Sequence, residues 1–351
     1  MQYTKPWPVP YSVLHATILT LSEGNPPMIY DVIGDIHGHA DKLEGLLKKL
    51  GYTLRVHETL NINYYQPPEG HRAIFIGDLI DRGPQELQTL EIVYAMIDAG
   101  VADAIMGNHE YNALAYATID KSAPQESGEN VYLRRHNDTH NRQHQAFLEE
   151  VPFGSEAHHY WLKRFAELPL WIETEHACFV HACWDVDNMA LLKPMLTEDN
   201  RITEEALQRT GQKHSLEYEA LERVLKGVEL PLPEGVSFMD KDGAVRERVR
   251  VKWWEEQLLG QRIIDIARAP YSDLAQIPQD IVVENLDFQL KTQKPVFIGH
   301  YWLTGDPQPL SPQVVCTDYS AAGTGHLTAY RFDSNKPLPL SADNFVQYIA
   351  C

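Results

Sequence analysis

The stretch Ile33-Gly34-Asp35-Ile36-His37-Gly38 places an aspartate and a histidine two residues apart, directly after a short apolar run. Four later apolar runs also end in side chains able to bind a metal ion. They are residues 73–76 before Gly77-Asp78, 104–106 before Gly107-Asn108-His109-Glu110, 178–180 before His181, and 296–298 before Gly299-His300. In open α/β sheets, ligands bind beyond the carboxyl ends of the strands. The sequence therefore predicts that five strand ends converge on one metal site.

Helical periodicity between these runs indicates the fold class. Residues 40–50 carry leucines at the spacing of one helical face, and Gly51 is placed to end that helix. Residues 84–100 repeat the pattern, starting with a proline where a first helical residue is expected. Strand, ligand-bearing turn and helix thus alternate, beginning with a strand at 28–33. This alternation predicts an α/β fold. We expect one domain over 1–351, in which the long interval 186–293 is an insertion capping the active site.

Other segments give less regular patterns. Residues 121–145 are polar and indicate a loop or lid. Residues 1–27 are expected to form an extension packed on the domain. Helices are predicted at 156–167 and 216–225, and a helix-like run at 253–267, whose Trp253-Trp254 pair packs the insertion. A strand is predicted at 171–180, a break at 230–233, a hairpin turning at Asp242-Gly243, and paired strands at 313–317 and 327–332.

A cationic run lies inside the insertion. Arg246, Arg248, Arg250 and Lys252 alternate with other residues, so a strand here would present four cations on one face. Such a face would recruit an anionic substrate or supply a phosphate-binding arginine. The interpretation we favour is a solvated face that balances nearby acids.

Composition and charge exclude several classes of protein. The 351 residues include 30 basic and 49 acidic ones, for a formal net charge of −19. A dedicated nucleic-acid binder would show a basic surface, so a nucleic-acid polymer is not an expected partner. No apolar run approaches a membrane span of about 20 residues, and residues 11–21 lack the pattern of a signal peptide. Cysteines 178, 183, 316 and 351 lack framework spacing, which predicts free thiols and a cytoplasmic location.

The residue types at the strand ends indicate the chemistry. Two carboxylates, one amide and three imidazoles suit a pair of divalent metal ions, with manganese first and iron or zinc as alternatives. Two such ions about 3.5–4 Å apart can hold a bridging hydroxide that attacks phosphorus in line with the leaving group. Asp78 is the natural bridging ligand, because a carboxylate has two oxygens to share. His109 follows Asn108 directly and is a candidate general acid whose pKa Asp81 raises, and Arg82 suits two phosphate oxygens.

Three sequence blocks resemble a known family. Gly-Asp-Ile-His-Gly, Gly-Asp-Leu-Ile-Asp-Arg-Gly and Gly-Asn-His-Glu, in this order, resemble the phosphoprotein phosphatase type of calcineurin-like metallophosphoesterase. Thr317-Asp318 and residues 325–331 resemble the closing segment of its bacterial branch, which includes bacterial serine/threonine protein phosphatases and symmetrical diadenosine tetraphosphate hydrolases. The resemblance covers roughly residues 28–120, 165–185 and 294–333, and not the insertion.

The resemblance implies a sandwich of two mixed β-sheets flanked by helices, and it implies roles for individual residues. Asp35, His37 and Asp78 would bind one metal ion, and Asp78, Asn108, His181 and His300 the other. His109 would be the acid, Asp81 its partner and Arg82 a phosphate ligand; Asn108 would also lie on the substrate. Trp302 stands where many wider relatives have a second histidine. A second phosphate-binding arginine, expected between the last two histidines, cannot be aligned.

Three functions are consistent with these residues. The leading one is an enzyme, a metal-dependent phosphatase that hydrolyses phosphomonoesters of a protein or a small molecule. The alternative is a hydrolase of dinucleoside polyphosphates of the diadenosine tetraphosphate type. A non-catalytic phosphate-binding scaffold is the third, and it is disfavoured because the acid, its partner and the arginine all stand beside the ligands.

Overall fold

The first sheet carries three of the predicted ligand turns. The computed structural model describes residues 28–123, 130–239 and 245–349. The strands of this sheet are β1 (Ile29–Ile33), β4 (His71–Phe75), β5 (Ala102–Ala104), β14 (Leu327–Asp333) and β15 (Phe345–Tyr348). Their order is β15-β14-β1-β4-β5. Because β1, β4 and β5 are parallel, their carboxyl ends meet at one edge of the sheet. β14 and β15 are antiparallel, so the sheet is mixed.

A second sheet carries the other two ligand turns. It consists of β6 (Trp171–Glu173), β7 (Cys178–Val180), β12 (Val296–Ile298) and β13 (Val314–Cys316) in the order β13-β12-β7-β6. β7, β12 and β13 are parallel, and β6 pairs antiparallel with β7. Aromatic rings of the two sheets interleave, with 5.6 Å between the centroids of Tyr30 and Phe179 and 5.1 Å between those of Phe297 and Phe332. The molecule is therefore an α/β sandwich of two mixed sheets, and the predicted fold class is confirmed.

Helices follow the strands of the first sheet as predicted. α1 (Ala40–Leu50) buries Leu43, Leu46 and Leu47, and it packs on β14 and β15. Gly51 ends this helix in the left-handed region at a φ of 94°, and its N–H donates to the carbonyls of the last turn. α2 (Glu86–Asp98) follows β4, and α3 (Asn108–Ala117) begins within the third ligand turn itself.

The remaining elements lie outside the two sheets. A hairpin of β2 (Thr53–His57) and β3 (Ile62–Gln66) follows α1. Along the chain, α3 is followed by α4 (Asp138–Gln143), α5 (Gln145–Glu150) and α6 (Glu156–Ala166), which precede β6. The insertion contains α7 (Val186–Leu192), α8 (Glu204–Thr210), α9 (Leu216–Lys226), β8 (Glu229–Pro231), β9 (Phe238–Met239), β10 (Val245–Arg246), β11 (Arg248–Arg250), α10 (Ile263–Ile266) and α11 (Tyr271–Leu274).

The insertion packs against the loops that follow β7 and β12. The indole N–H of Trp253 donates to the carbonyl of Ala182 at 3.0 Å and to the hydroxyl of Tyr301 at 2.9 Å. Ala182 and Cys183 donate their backbone N–H groups to the carbonyl of Val224 in α9. Trp253 is 2% exposed and Trp254 6%, in agreement with the predicted packing role of this pair. The insertion thus contacts the two loops that carry His181 and His300, while its capping role stays a prediction.

The helix predicted over 253–267 is wrong. Only residues Ile263–Ile266 are helical in this run. Lys252 donates its backbone N–H to the carbonyl of Ile266 at 2.8 Å, and Arg268 donates to that of Arg250 at 2.7 Å. These two hydrogen bonds bring the end of the run beside its beginning. The run is therefore a closed loop and not a continuous helix.

Strand pairing corrects further expectations. The strands predicted at 313–317 and 327–332 are not partners, because β13 pairs with β12 in one sheet and β14 with β1 in the other. The predicted break at 230–233 overlaps β8, which pairs with β11. The cationic run does not form one strand face, since Arg246 belongs to one two-stranded ladder and Arg248 and Arg250 to another. Lys252 follows β11 and belongs to neither ladder. The strand predicted at 171–180 is a hairpin of β6 and β7.

Three expectations fall on other parts of the chain. The polar segment 121–145 contains α4, so it is not a loop throughout. The extension at 1–27 and the turn at Asp242-Gly243 lie outside the described residues. Among the residues that the structure describes, no helix has the length and apolar character required to cross a membrane.

Candidate metal centre

Asp78 lies at the centre of the site. Its Oδ2 atom is 3.4 Å from Nε2 of His181 and 3.7 Å from Nε2 of His37. The side chains of all three residues are at most 3% exposed. The two histidines come from different sheets, so the aspartate after β4 lies where the ligand turns of both halves of the sandwich meet.

Two ligand groups share this carboxylate. His37, Asp78 and His109 form one group and Asp78, His181 and His300 the other, with the ligand atoms of each group within 4.8 Å of one another. Asn108 adjoins the second group, because its Oδ1 is 3.2 Å from Nε2 of His181. The structure thus brings together side chains from all five predicted strand ends, and their role as metal ligands stays a prediction.

Asp35 is placed differently from the rest. It belongs to neither three-residue group. Its buried carboxylate accepts the backbone N–H of His300 at 3.1 Å. The resemblance assigns Asp35 to one ion together with His37 and Asp78. In the structure, His109 and not Asp35 forms a group with these two residues. The division of ligands between two ions therefore remains a prediction.

Backbone carbonyls orient two of the imidazoles. His37 donates from Nδ1 to the carbonyl of Ile80 at 2.9 Å, and His181 donates from Nδ1 to that of Ile76 at 2.6 Å. Both rings therefore present Nε2 to Asp78. Hydrogen bonds of this kind on the far nitrogen are typical of metal-binding histidines.

The charges of the site fit divalent cations. Burial and the neighbouring Asp318 raise the pKa of Asp35 well above its ordinary range. Burial opposes a charge on His181, but Asp78 raises the pKa of this imidazole to about 10, so positive charge is favoured here. Both ring nitrogens of His300 are buried without a hydrogen-bond partner among the described residues. Nitrogen and oxygen donors without a thiolate suit manganese, iron or zinc.

The candidate acid lies beside the metal ligands. His109 donates from Nδ1 to Oδ2 of Asp81 at 2.6 Å. Burial alone would raise the pKa of Asp81, but hydrogen bonds from His109 and His144 lower it far below its ordinary range. Asp81 is therefore an ionised carboxylate that can stabilise a positively charged imidazole at His109.

Arg82 reaches over the same side of the site. Its guanidinium donates to Nε2 of His37 at 3.1 Å and to Nε2 of His109 at 3.2 Å. Because arginine only donates, both nitrogens accept, and the proton of each ring is on Nδ1. The guanidinium also stacks 3.9 Å from the ring centroid of Trp302, a favourable cation–π contact.

The turns of the site have an unusual backbone. Residues with side chains occupy the left-handed region that normally favours glycine, at a cost of about 1–2 kcal/mol each. They are His37 (φ 49°), Asp78 (51°), Asp81 (71°), Arg82 (85°), His300 (71°) and Trp302 (49°). Strain of this kind clusters at functional sites.

Two glycines permit close approaches around the ligands. A Cβ on Gly299 would lie 2.1 Å from Oδ1 of Asp35, and one on Gly107 would lie 2.3 Å from Oδ1 of Asp78. Neither space admits a side chain, so the glycines that precede His300 and Asn108 in the motifs are required sterically.

Sequence reasoning missed several residues of the site. Glu110 accepts the backbone N–H groups of Gly107 and Asp78 at 2.9 Å and of Leu79 at 2.8 Å, which ties two ligand turns together. Its place directly after His109 was an available signal. Glu86 accepts the N–H of Asp81 at 2.8 Å, and His144 binds Asp81 from a distant helix end. No local pattern singles out these two residues.

Comparison with known proteins agrees with the fold and the site. Residues 28–198 match the family model of calcineurin-like phosphoesterases. A relative from Geobacillus sp. (strain WCH70), named bis(5'-nucleosyl)-tetraphosphatase PrpE [asymmetrical], is 44% identical over 82 residues, which are 23% of this chain and 31% of the relative. The protein of the same name from Bacillus subtilis (strain 168) is 38% identical over 86 residues, with the same coverage.

The extent of these matches is limited. The chain spans about a third of the length of the curated relatives it matches. Their names carry the term asymmetrical, whereas the sequence resemblance named symmetrical hydrolases. A serine/threonine phosphatase structure from Saccharomyces cerevisiae has 14% identity and a TM-score of 0.47, covering 94% of this chain and 82% of that one.

Proposed function

We propose that the protein is a hydrolase of phosphoesters that works with two divalent metal ions, and that phosphomonoesters of a protein or a small molecule are its substrates. The observation that supports this most directly is the sharing of Asp78 by two groups of potential ligands. A single carboxylate between two sets of imidazoles is what a dinuclear centre requires. Catalytic partners stand beside it, which favours an enzyme over a phosphate-binding scaffold.

The side chains around the centre have separate roles in the proposed reaction. Two divalent ions bound here would polarise the phosphoryl group and lower the pKa of a water molecule. Arg82 offers a planar pair of donors to phosphate oxygens, and it leaves His37 and His109 when it does so. As the bond from phosphorus to the leaving oxygen breaks, His109 in its protonated form gives its Nε2 proton to that oxygen. Asp81 stabilises the charged imidazole before the transfer.

Dinucleoside polyphosphates are the second candidate class of substrate. The names of the PrpE relatives favour it over the matched region. Burial lowers the pKa of His300 well below its ordinary value, and the positive charges of Arg250, His181 and Lys226 lower it further. Cations of the insertion, Arg250 and Lys226, therefore act on the site and add support. Arg250 is half-buried and bonded to Glu229 at 3.1 Å. We assign to it the role of the second phosphate-binding arginine that sequence alignment does not supply.

The test is hydrolysis by metal-stripped protein to which Mn²⁺, Zn²⁺ or Mg²⁺ is added back. The substrates are p-nitrophenyl phosphate, a phosphopeptide and diadenosine tetraphosphate. We expect activity that depends on added metal, greatest with Mn²⁺. Faster cleavage of diadenosine tetraphosphate than of both monoesters would reverse the order of the two substrate classes. Protein that binds two ions and cleaves none of the three would contradict the proposal.

The setting of the reaction is part of the proposal. We infer manganese as the native metal and the cytoplasm as the location. Cys178, Cys183 and Cys316 are buried free thiols, which supports a reducing compartment. The expected partner is the phosphorylated substrate, rather than a membrane or a nucleic-acid polymer.

A further inference from the structure

Asp81 is held by two histidines rather than one. Its Oδ2 accepts the Nδ1–H of His109 at 2.6 Å, and its Oδ1 accepts the Nδ1–H of His144 at 2.8 Å. The three side chains are 3–8% exposed, so water does not substitute for either bond. One carboxylate is thus shared between the candidate acid and a second imidazole that arrives from another part of the chain.

His144 is firmly placed at the junction of α4 and α5. It is 4% exposed. Its ring stacks on Phe147 with 5.1 Å between centroids and an interplanar angle of 26°, and it meets Tyr116 edge-on at 5.3 Å. Backbone bonds fix the residue as well, since its N–H donates to the carbonyl of His140 and its carbonyl accepts from Leu148. The donor is therefore rigid before any substrate binds.

The far side of this imidazole has no comparable bond. Nε2 of His144 is buried and has no hydrogen-bond partner among the described residues. A side chain that served only to fill this apolar space would be an apolar one, because a buried nitrogen without a partner is unfavourable. The feature that distinguishes histidine here is the bond from Nδ1 to Asp81.

A second donor matters because the terminal torsion of an aspartate is soft. Rotation about this torsion has broad, roughly two-fold preferences, so one hydrogen bond leaves the carboxylate plane poorly defined. A donor on each oxygen defines the plane and directs one oxygen at His109. The backbone of Asp81 is fixed too, since its N–H donates to Glu86 at 2.8 Å.

We propose that His144 is a positioning residue that acts through Asp81 to orient the imidazole of His109. Within the described part of the chain, the hydrogen bond of its imidazole goes to Asp81 and not to a predicted metal ligand, so its effect is transmitted by a single carboxylate. The acid is thus a linear His109–Asp81–His144 unit drawn from three separate segments of the chain. The proposal rests on the proposed function of His109 as proton donor.

Three variants separate this role from simple packing. His144→Phe fills the space and removes the donor. His144→Asn retains a donor, because the amide nitrogen of asparagine occupies a position equivalent to Nδ1 of histidine. His158→Phe is the matched control: His158 is 1% exposed and packs on the same Phe147, with 6.3 Å between ring centroids. The side-chain hydrogen bonds of Asp81 among the described residues go to His109 and His144 instead.

The kinetic measurement compares a good leaving group, p-nitrophenyl phosphate, with a poor one, phenyl phosphate, in manganese-loaded enzyme. A misaligned acid matters most when the leaving oxygen needs its proton. We expect His144→Phe to lower kcat for phenyl phosphate about tenfold more than for p-nitrophenyl phosphate, with KM and metal content unchanged. His144→Asn should recover most of this ratio, and His158→Phe should not alter it. An equal loss for both substrates, or a His144→Asn variant as impaired as His144→Phe, would overturn the proposal.

A spectroscopic readout distinguishes failure of this proposal from failure of the proposed function. In protein labelled with ¹⁵N-histidine, the Nδ1–H of His109 should give a strongly downfield, slowly exchanging proton signal, assigned by its loss in His109→Asn. His144→Phe should shift it upfield and speed its exchange, whereas His144→Asn and His158→Phe should leave it in place. If the wild-type protein hydrolyses nothing but these shifts occur, the function fails and the positioning role stands. An unchanged His109 signal in His144→Phe refutes the positioning role whatever the activity.

Discussion

The strand-end turns and the insertion are built on different principles. In the turns, buried polar groups bind one another: Glu110 ties two of them together, and His109 and His144 share Asp81. In the insertion, apolar side chains such as Trp253 are buried, while charges pair near the surface, as Arg223 does with Asp287.

The difference shows what limits substitution in each region. A buried carboxylate or imidazole has few acceptable replacements, because removing its partner leaves an unsatisfied group. An apolar contact is satisfied by several side chains of similar volume, and an exposed ion pair contributes little. We therefore expect changes in the turns to abolish function and changes in the insertion, apart from Arg250 with its proposed role on phosphate, to alter stability modestly.

The largest effect is expected for Asp78→Asn. The change removes the charge shared by the two ligand groups, so both ions should be lost or weakly held, and kcat should fall by about a thousandfold or more. Elemental analysis after gel filtration and hydrolysis of p-nitrophenyl phosphate measure the two effects. Asp187→Asn in the insertion is the control, since Asp187 is exposed and pairs with Lys291. Two tightly held ions in Asp78→Asn would argue against a bridging role.

Loss of the acid should be the next largest effect. His109→Asn keeps a donor toward Asp81 but has no proton to give at the position of Nε2. We expect kcat for phenyl phosphate to fall by about 100-fold or more, with a smaller fall for p-nitrophenyl phosphate and unchanged metal content. Steady-state kinetics with both substrates check this. If the variant loses its metal, His109 belongs with the ligands, as its distance of 3.9 Å from Asp78 would allow.

A pH dependence of stability is expected from Glu86. Burial and the charge of Asp81 raise the pKa of this carboxyl to about 9 in the folded protein. Between its unfolded value near 4.5 and about 9 the folded state binds more protons, so this contribution to stability is complete below pH 4.5 and is lost as the pH rises toward 9. Glu86→Gln mimics the protonated form and should be more stable than wild type at pH 8 by on the order of 2 kcal/mol.

Urea unfolding of wild type and Glu86→Gln at pH 5 and pH 8 tests that expectation. The difference between the two proteins should be small at pH 5 and large at pH 8. Equal stabilities at both values would mean that Glu86 is ionised in the folded protein, and that its bond to the N–H of Asp81 offsets the cost of burial.

The smallest effect is expected in the insertion. Trp253→Phe removes the indole donor to Ala182 and Tyr301, and should lower the free energy of unfolding by about 1–2 kcal/mol. Metal content should stay at the wild-type level, measured beside a thermal melt. If the ions are lost as in Asp78→Asn, the insertion positions His181 and His300, and the contrast between the two regions disappears.

The motif turns were predictable because their chemistry is local. Asp35, His37, Asp78 and Asn108 follow strands in short fixed patterns, and the glycines before Asn108 and His300 are enforced by contacts within 2.3 Å. The alternation of strand and helix around them predicted the α/β class, and the family resemblance implied the sandwich of two sheets. Geometry then added what spacing cannot give, such as the bond of Asp35 to the N–H of His300.

Contacts between residues that are distant in the sequence could not be predicted from it. His144 is one of 16 histidines, and it meets Asp81 only because α4 and α5 pack beside the second ligand turn. The closed loop at 253–267 has helical periodicity, but bonds of Lys252 and Arg268 to distant carbonyls override it. The two strands at 313–317 and 327–332 are near in sequence, yet each finds a better partner in a different sheet.

The left-handed backbone of the site residues has an evolutionary consequence. Six residues of the site have a positive φ at positions that glycine or asparagine would occupy at lower energy, namely His37, Asp78, Asp81, Arg82, His300 and Trp302. Under the proposed function, selection for catalysis is what opposes those replacements. A duplicate of this gene released from that selection would gain stability by accumulating glycine or asparagine there. Such substitutions in a descendant, with the rest of the fold intact, would mark the point at which its lineage abandoned the chemistry.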